Sequence, residues 1–212
     1  IYFKTPELEV PFDCQYWPDQ GDNSGKWAIK VNLKGKEAEP MIEAVKSMDE
    51  AIKAEALKNC TAWFKKRNMS AETIESLYTP MVKESPDAET GEPNGKYPPT
   101  IKVKVPQMNK NWDVKVFNTE GRQYAINDAE SGDNLEDVLV KFSKVRAIIQ
   151  CVGLWVASGN FMCQWKLVKA EVDVPGNSGT HDFLPDSDDE DDDSDNQATE
   201  DTSNDGPQML DD

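Results

Sequence analysis

Nine consecutive residues, Lys26-Trp27-Ala28-Ile29-Lys30-Val31-Asn32-Leu33-Lys34, alternate with a period of two. Trp27, Ile29, Val31 and Leu33 fall on one side; Lys26, Ala28, Lys30, Asn32 and Lys34 fall on the other. Side chains along a strand point to opposite faces in turn, so this stretch predicts a strand with a dry apolar face and a wet basic one. The pattern recurs at Thr100–Val105, where Ile101, Val103 and Val105 oppose Lys102 and Lys104. A third copy covers residues 112–117, with Trp112, Val114 and Val116 against Asp113, Lys115 and Phe117. Strands of this one-sided kind belong in antiparallel sheets, because parallel sheets are buried on both faces.

Between the first two strands the period changes to that of a helix. Pro40 suits a first helical turn, and Ile42, Val45, Ile52, Ala56 and Trp63 recur at helical spacing, predicting one long helix over residues 41–66 that frays near Asn59. Ser70 predicts the cap of a second helix, Ala71–Leu77, with Glu72 complementing its N-terminus. Residues 85–99 are rich in Pro and Gly and read as a long loop. A short helical stretch is expected near residues 135–142. Residues 147–157 are apolar on both faces and read as a central strand, returning through Ser158-Gly159-Asn160 into residues 161–172. At the front, residues 7–16 mix apolar and polar groups and end at Trp17-Pro18. Trp27, Trp112 and Trp165 lie on inward phases and are expected in the core. About six strands and two or three helices result, in an α+β, mainly β arrangement: a small closed antiparallel barrel with a helical insert.

Charge divides the chain in two. The net charge of −17 is concentrated from Asp182 onward, where 14 Asp or Glu and no Lys or Arg occur, leaving 26 acidic and 23 basic residues over 1–181. Residues 1–176 therefore read as one domain and residues 177–212 as a disordered acidic tail that repels itself. No apolar run reaches the ~18 residues of a membrane span. The N-terminal residues lack the layout of a secretory signal. Four dispersed cysteines (Cys14, Cys60, Cys151, Cys163) and the single His181 exclude a zinc site of paired ligands and suit reduced, packed thiols in an intracellular compartment. No nucleophile elbow, phosphate loop or metalloprotease helix is present, so neither catalysis nor a cofactor or metal is expected.

Binding is the better reading. Lys26, Lys30, Lys102, Lys104 and Lys115 occupy the wet faces of three strands, and residues 138–170 add five cations and no acid. Tyr97, Phe117 and Tyr124, with Phe142 and Trp155, are rings with a chance of exposure. Cations that track phosphates, interleaved with rings that stack bases, are what holds single-stranded nucleic acid. The bland alternative is a sheet kept soluble by lysine. In the tail, Asp188, Asp189, Glu190 and Asp191 offer a surface to basic partners, and Met209 and Leu210 form an apolar tip.

Several stretches also stand in a familiar order: Thr5-Pro6 with Val10-Pro11-Phe12, Trp63-Phe64-Lys65-Lys66, Leu77-Tyr78-Thr79-Pro80 with Val82-Lys83, and Glu89-Thr90-Gly91-Glu92-Pro93. Lys96-Tyr97-Pro98-Pro99-Thr100, with Lys102 and Lys104, and then Trp155, Phe161 and Trp165 follow. This order resembles the single-stranded DNA-binding protein family of nucleo-cytoplasmic large DNA viruses, akin to phage-type replication proteins. The resemblance implies an oligonucleotide/oligosaccharide-binding (OB) barrel, coating of single-stranded DNA in viral replication, recombination or repair, and a tail that tempers binding and recruits replication proteins. It further implies residence in a host nucleus or a cytoplasmic viral factory, and a homodimer is compatible with it. The tail departs from the phage type, ending Met209-Leu210-Asp211-Asp212 rather than in an aromatic. The competing reading is an interaction or virion-structural protein whose acidic tail binds basic proteins.

Overall fold

Gly25–Asn32 and Thr100–Val105, the two stretches of cleanest alternation, lie side by side and antiparallel, with Ile29 opposite Val103 and Lys30 opposite Lys102. The computed structural model describes residues 1–18, 25–87, 89–157 and 159–176. In chain order these form β1 (Tyr2–Glu9), β2 (Gln15–Pro18), β3 (Gly25–Asn32), α1 (Glu39–Lys58), α2 (Cys60–Phe64), α3 (Ala71–Leu77), β4 (Tyr78–Thr79) and β5 (Val82–Lys83). Then come β6 (Thr100–Val105), β7 (Gln107–Met108), β8 (Asn111–Trp112), β9 (Lys115–Asn118), α4 (Leu135–Val138), β10 (Lys144–Ala157) and β11 (Asn160–Asp173). The acidic tail lies outside the described residues, and so do Asp188, Asp189, Glu190, Asp191, Met209 and Leu210.

Five strands close a ring. β1 pairs with β10 and, through Glu9 and Asn32, with β3. β3 pairs with β6, β6 meets β11 in parallel at Lys104 and Lys166, and β11 returns along β10. Counted along the chain, the ring runs first, second, third, fifth, fourth, with its parallel contact between third and fifth. That is the Greek-key arrangement of an OB barrel. Leu8, Ile29, Val31, Ile101, Val103, Val145, Ile149 and Leu167 fill the interior so completely that a void of only about 10 Å³ remains.

Local chemistry explains the irregular points. Pro6 has no N–H to give the β1–β10 ladder, and the register shifts between Lys4 and Glu7. The Thr5 hydroxyl accepts the Ala147 N–H at 2.9 Å in place of a ladder carbonyl. Ser70 caps α3 by accepting the Thr73 N–H at 3.2 Å, as its position predicts. The helix expected over 41–66 breaks at Asn59 into α1 and α2, and α2 stops at Lys65, whose φ is 59°. The strand expected over 112–117 is split, because β8 turns away to pair with β7. The helix expected near 135–142 is reduced to α4. The expected central strand is central only in its first half. Past Cys151, β10 has lost β1 as a neighbour, and Val152, Leu154, Trp155 and Val156 are exposed.

The helical insert is tied to the barrel by one buried carboxylate. Asp49 on α1, 6% exposed, accepts the Tyr78 hydroxyl and the Met81 N–H, the latter at 3.3 Å. Burial raises the Asp49 pKa, opposed by those two hydrogen bonds and the Lys53 charge. A raised carboxyl pKa means the folded chain takes up its proton before the unfolded chain does. Stability from this group therefore increases as pH falls through the raised value towards the ordinary 3.8. We expect Asp49→Ala, which strands two buried donors, to lose about 1–3 kcal/mol in urea denaturation at pH 7. Relative to Asp49→Asn, the wild type should gain stability between neutral and mildly acid pH.

Candidate nucleic-acid interface

The outward face of β6 carries Lys102 and Lys104 at successive positions, and that of β3 carries Lys26 and Lys30 on either side of Ala28. Lys30 stands directly opposite Lys102, and Ala28 opposite Lys104. Lys104 in turn faces Lys166 across the parallel contact with β11. Like charges on one rung repel, by up to about 1 kcal/mol for a direct pair. The Lys102 pKa is lowered accordingly, first by partial withdrawal from water and then by the charges of Lys30 and Lys83.

Beside these lysines lies a groove of about 300 Å³. Lys26, Lys83, Lys102 and Lys104 line it together with Trp17, Trp27, Thr79, Met81, Gln164 and Trp165, and among the described residues no carboxylate does. It opens where β6 and β11 part company above and below their single rung, so the segment between β4 and β5 forms one wall. Met81 of that wall is held from behind by the Trp165 indole N–H, donated to its sulfur at 2.9 Å, and by Asp49.

Aromatic rings sit on the lysines. Trp17 on β2 pairs with Lys26, yet its ring lies 4.0 Å from the Lys102 ammonium, which is level with Lys30. The diagonal between the two crosses β3 at Ala28, where a methyl group leaves room for the indole. Ala28 is buried despite its outward phase. The Lys30 ammonium lies 5.4 Å from the Phe12 ring, and that of Lys26 lies 5.9 Å from Trp155. Trp17, Phe12 and Trp155 are 44%, 48% and 54% exposed, so each also presents ring surface to solvent.

Five cations outside the groove are paired with acids. Lys46, Lys53, Lys58, Arg122 and Arg146 each reach a carboxylate within 3.3 Å. Among the described residues, Lys30, Lys83, Lys102 and Lys104 form no ion pair. The groove is thus a cationic, ring-edged cleft, suited to a polyanion that also carries flat apolar groups.

Of the residues singled out from sequence, Lys26, Lys102 and Lys104 line this groove and Lys30 adjoins it. Tyr97 is exposed on the loop leading into β6 and stacks with Lys96, at 5.3 Å. Lys115 and Phe117 are on β9, which pairs with the far end of β11, outside the groove lining; Lys115 faces Lys169. One face of the half-buried Phe117 ring is taken by the Lys169 ammonium at 4.4 Å. Tyr124 requires correction. It is 8% exposed, belongs to the main core and is covered by the Arg122 guanidinium at 4.9 Å, so its ring cannot stack a base. Trp27, expected in the core, is half-buried between Tyr16 and Trp112 at the groove edge. Sequence reasoning overlooked Trp17, Phe12 and Lys83. Folding residues 15–18 back onto 25–28 as a hairpin would have found Trp17, since it then shares a face with Lys26.

No family model matches the sequence, and no curated protein sequence matches it. Among solved structures, the chain is similar to the single-stranded DNA-binding protein from bacteriophage Enc34 in complex with ssDNA. The identity is 14% and the TM-score 0.48, over 82% of this chain and 86% of that one. It is also similar to gp2.5, a single-stranded DNA binding protein encoded by bacteriophage T7, at 12% identity and TM-score 0.49, over 86% of this chain and 98% of that one.

A Lys102→Met variant keeps the stem beneath Trp17 and removes the repelling charge. In urea denaturation at low salt it should be more stable than the wild type by about 0.2–1 kcal/mol. The gain should shrink as salt screens the Lys30–Lys102 repulsion.

Proposed function

We propose that this chain is a non-enzymatic protein that binds single-stranded DNA without sequence preference, in the replication, recombination or repair of a viral genome. The observation that carries the reading is the groove lined by Lys83, Lys102 and Lys104 and adjoined by Lys30, which form no ion pair among the described residues, with Trp17 laid across Lys102. A strand entering it exchanges unfavourable lysine–lysine contacts for lysine–phosphate contacts. The exposed surfaces of Trp17, Phe12, Trp155 and Tyr97 offer bases a stacking partner that every base can use. Charge and stacking carry no sequence readout, which is why no preference is expected. On its own groove, the chain falls in the same functional class as the phage proteins it resembles in fold. The tail, with its 14 acids after position 181, competes for the same lysines and offers replication proteins a docking segment.

Fluorescence-anisotropy titration of labelled oligo-dT tests the reading. With about four phosphates neutralised, the log–log salt slope should be near −3. Trp17→Ala should weaken binding roughly 5- to 150-fold, the range for one stacked base. The pair Lys30→Ala and Lys102→Ala should flatten the salt slope, and a chain ending at residue 176 should bind more tightly than the full chain. Absence of binding at low salt would end the proposal. Capture of basic proteins by the full chain, lost with the tail, would favour the interaction-protein alternative.

A further inference from the structure

All four cysteines are free thiols, but two of them are neighbours. The Sγ atoms of Cys151 on β10 and Cys163 on β11 are 3.2 Å apart and share a thiol hydrogen bond. The register explains the meeting. Cys151 is opposite Trp165 and Leu154 opposite Cys163, with a ladder shift between Cys151 and Gly153, so the two thiols lie diagonally across the hairpin. This is also where β10 leaves β1: Tyr2 faces Gln150, and the Cys151 N–H donated to the Ile1 carbonyl at 3.0 Å lies one residue beyond. Cys163 is 7% exposed and borders the groove, while Cys151 is half-buried and reachable from solvent.

We propose that Cys151 and Cys163 form a redox-active thiol pair, at which a small-molecule disulfide installs a reversible intramolecular disulfide in the folded barrel. The Cys151 thiol gives up its proton and attacks one sulfur of the reagent, breaking its S–S bond and expelling one thiolate. Cys163 then gives up its proton and attacks the Cys151 sulfur, expelling the second thiolate. The two protons end on the two released thiols. The protein pair is oxidised by two electrons and one reagent disulfide is reduced. The sulfurs close from 3.2 Å to about 2.05 Å, a displacement of roughly 1 Å at a point where the ladder is already irregular.

The other two cysteines lack this chemistry. The Cys60 thiol is engaged with the Ala56 and Leu57 carbonyls, at 3.3 and 3.0 Å. Cys14 is buried, with its pKa pushed up to about 12 mainly by that burial. Burial, then the hydrogen bond and charge of Cys151, also push Cys163 up to about 12, so the second step quickens as pH rises. The bond would staple β10 to β11 at the root of the projecting hairpin that carries Trp155.

The test is treatment of the folded full-length chain with oxidised glutathione, followed by alkylation, digestion and mass spectrometry. The expected product is a Cys151–Cys163 cross-linked peptide, lighter by two hydrogens and opened by dithiothreitol, with Cys14 and Cys60 still alkylated after denaturation. The same product should form when Cys14→Ser and Cys60→Ser are combined, and should vanish in Cys151→Ser. Recovery of both cysteines as alkylated thiols, or as separate glutathione adducts, would overturn the proposal. So would a cross-link that forms only in urea.

Discussion

One rung, Lys104 opposite Lys166, joins β6 to β11, and the groove exists because the joint extends no further. Had the strands paired along their length, their backbone groups would have been consumed by a continuous sheet. Instead β11 takes β4 on one side of that rung and β9 on the other, while β6 takes β5. The gap is bordered by the wall between β4 and β5. Closure by a lysine–lysine rung is also a costly way to finish a barrel. The interior offsets that cost: Ile29, Val103, Ile149 and Leu167 are almost wholly withdrawn from water.

The wall itself depends on a second buried contact. Asp49 reaches from α1 to Tyr78 and Met81, and Trp165 reaches Met81 from the barrel. A satellite cluster of Ala56, Ile74, Tyr78 and Phe161 packs behind them, with Phe64 on Phe161 at 5.1 Å between ring centres. The helical insert is thereby more than a connection between β3 and β6. It holds the segment that supplies Thr79, Met81 and Lys83 to the groove. Rigid support behind the cleft holds Lys30 and Lys102 close despite their repulsion.

Stability and binding pull against each other here. Some cations away from the groove are matched to carboxylates, as Arg146 is to Glu7 and Glu171. At the groove, Lys102 and Lys30 lie against rings and face one another. Such local departures from the most stable arrangement are expected at sites shaped for a ligand.

The alternation of Lys26–Lys34 and Thr100–Val105 by itself determined that two half-buried strands would show basic faces, because the strand period is two whatever the partner. Ser70 determined the start of α3, and the turn signal after Ala157 the β10–β11 hairpin, since caps and turns are local chemistry. Only the tertiary structure decided which rings stand at the groove. Tyr124 and Trp17 are both aromatic residues in polar surroundings, yet one is buried under Arg122 and the other crosses β3 to Lys102. Nor could sequence show that β10 loses β1 at Cys151, or that Cys151 meets Cys163. Those outcomes depend on register and strand length across the ring, which are set by contacts between residues far apart in the chain.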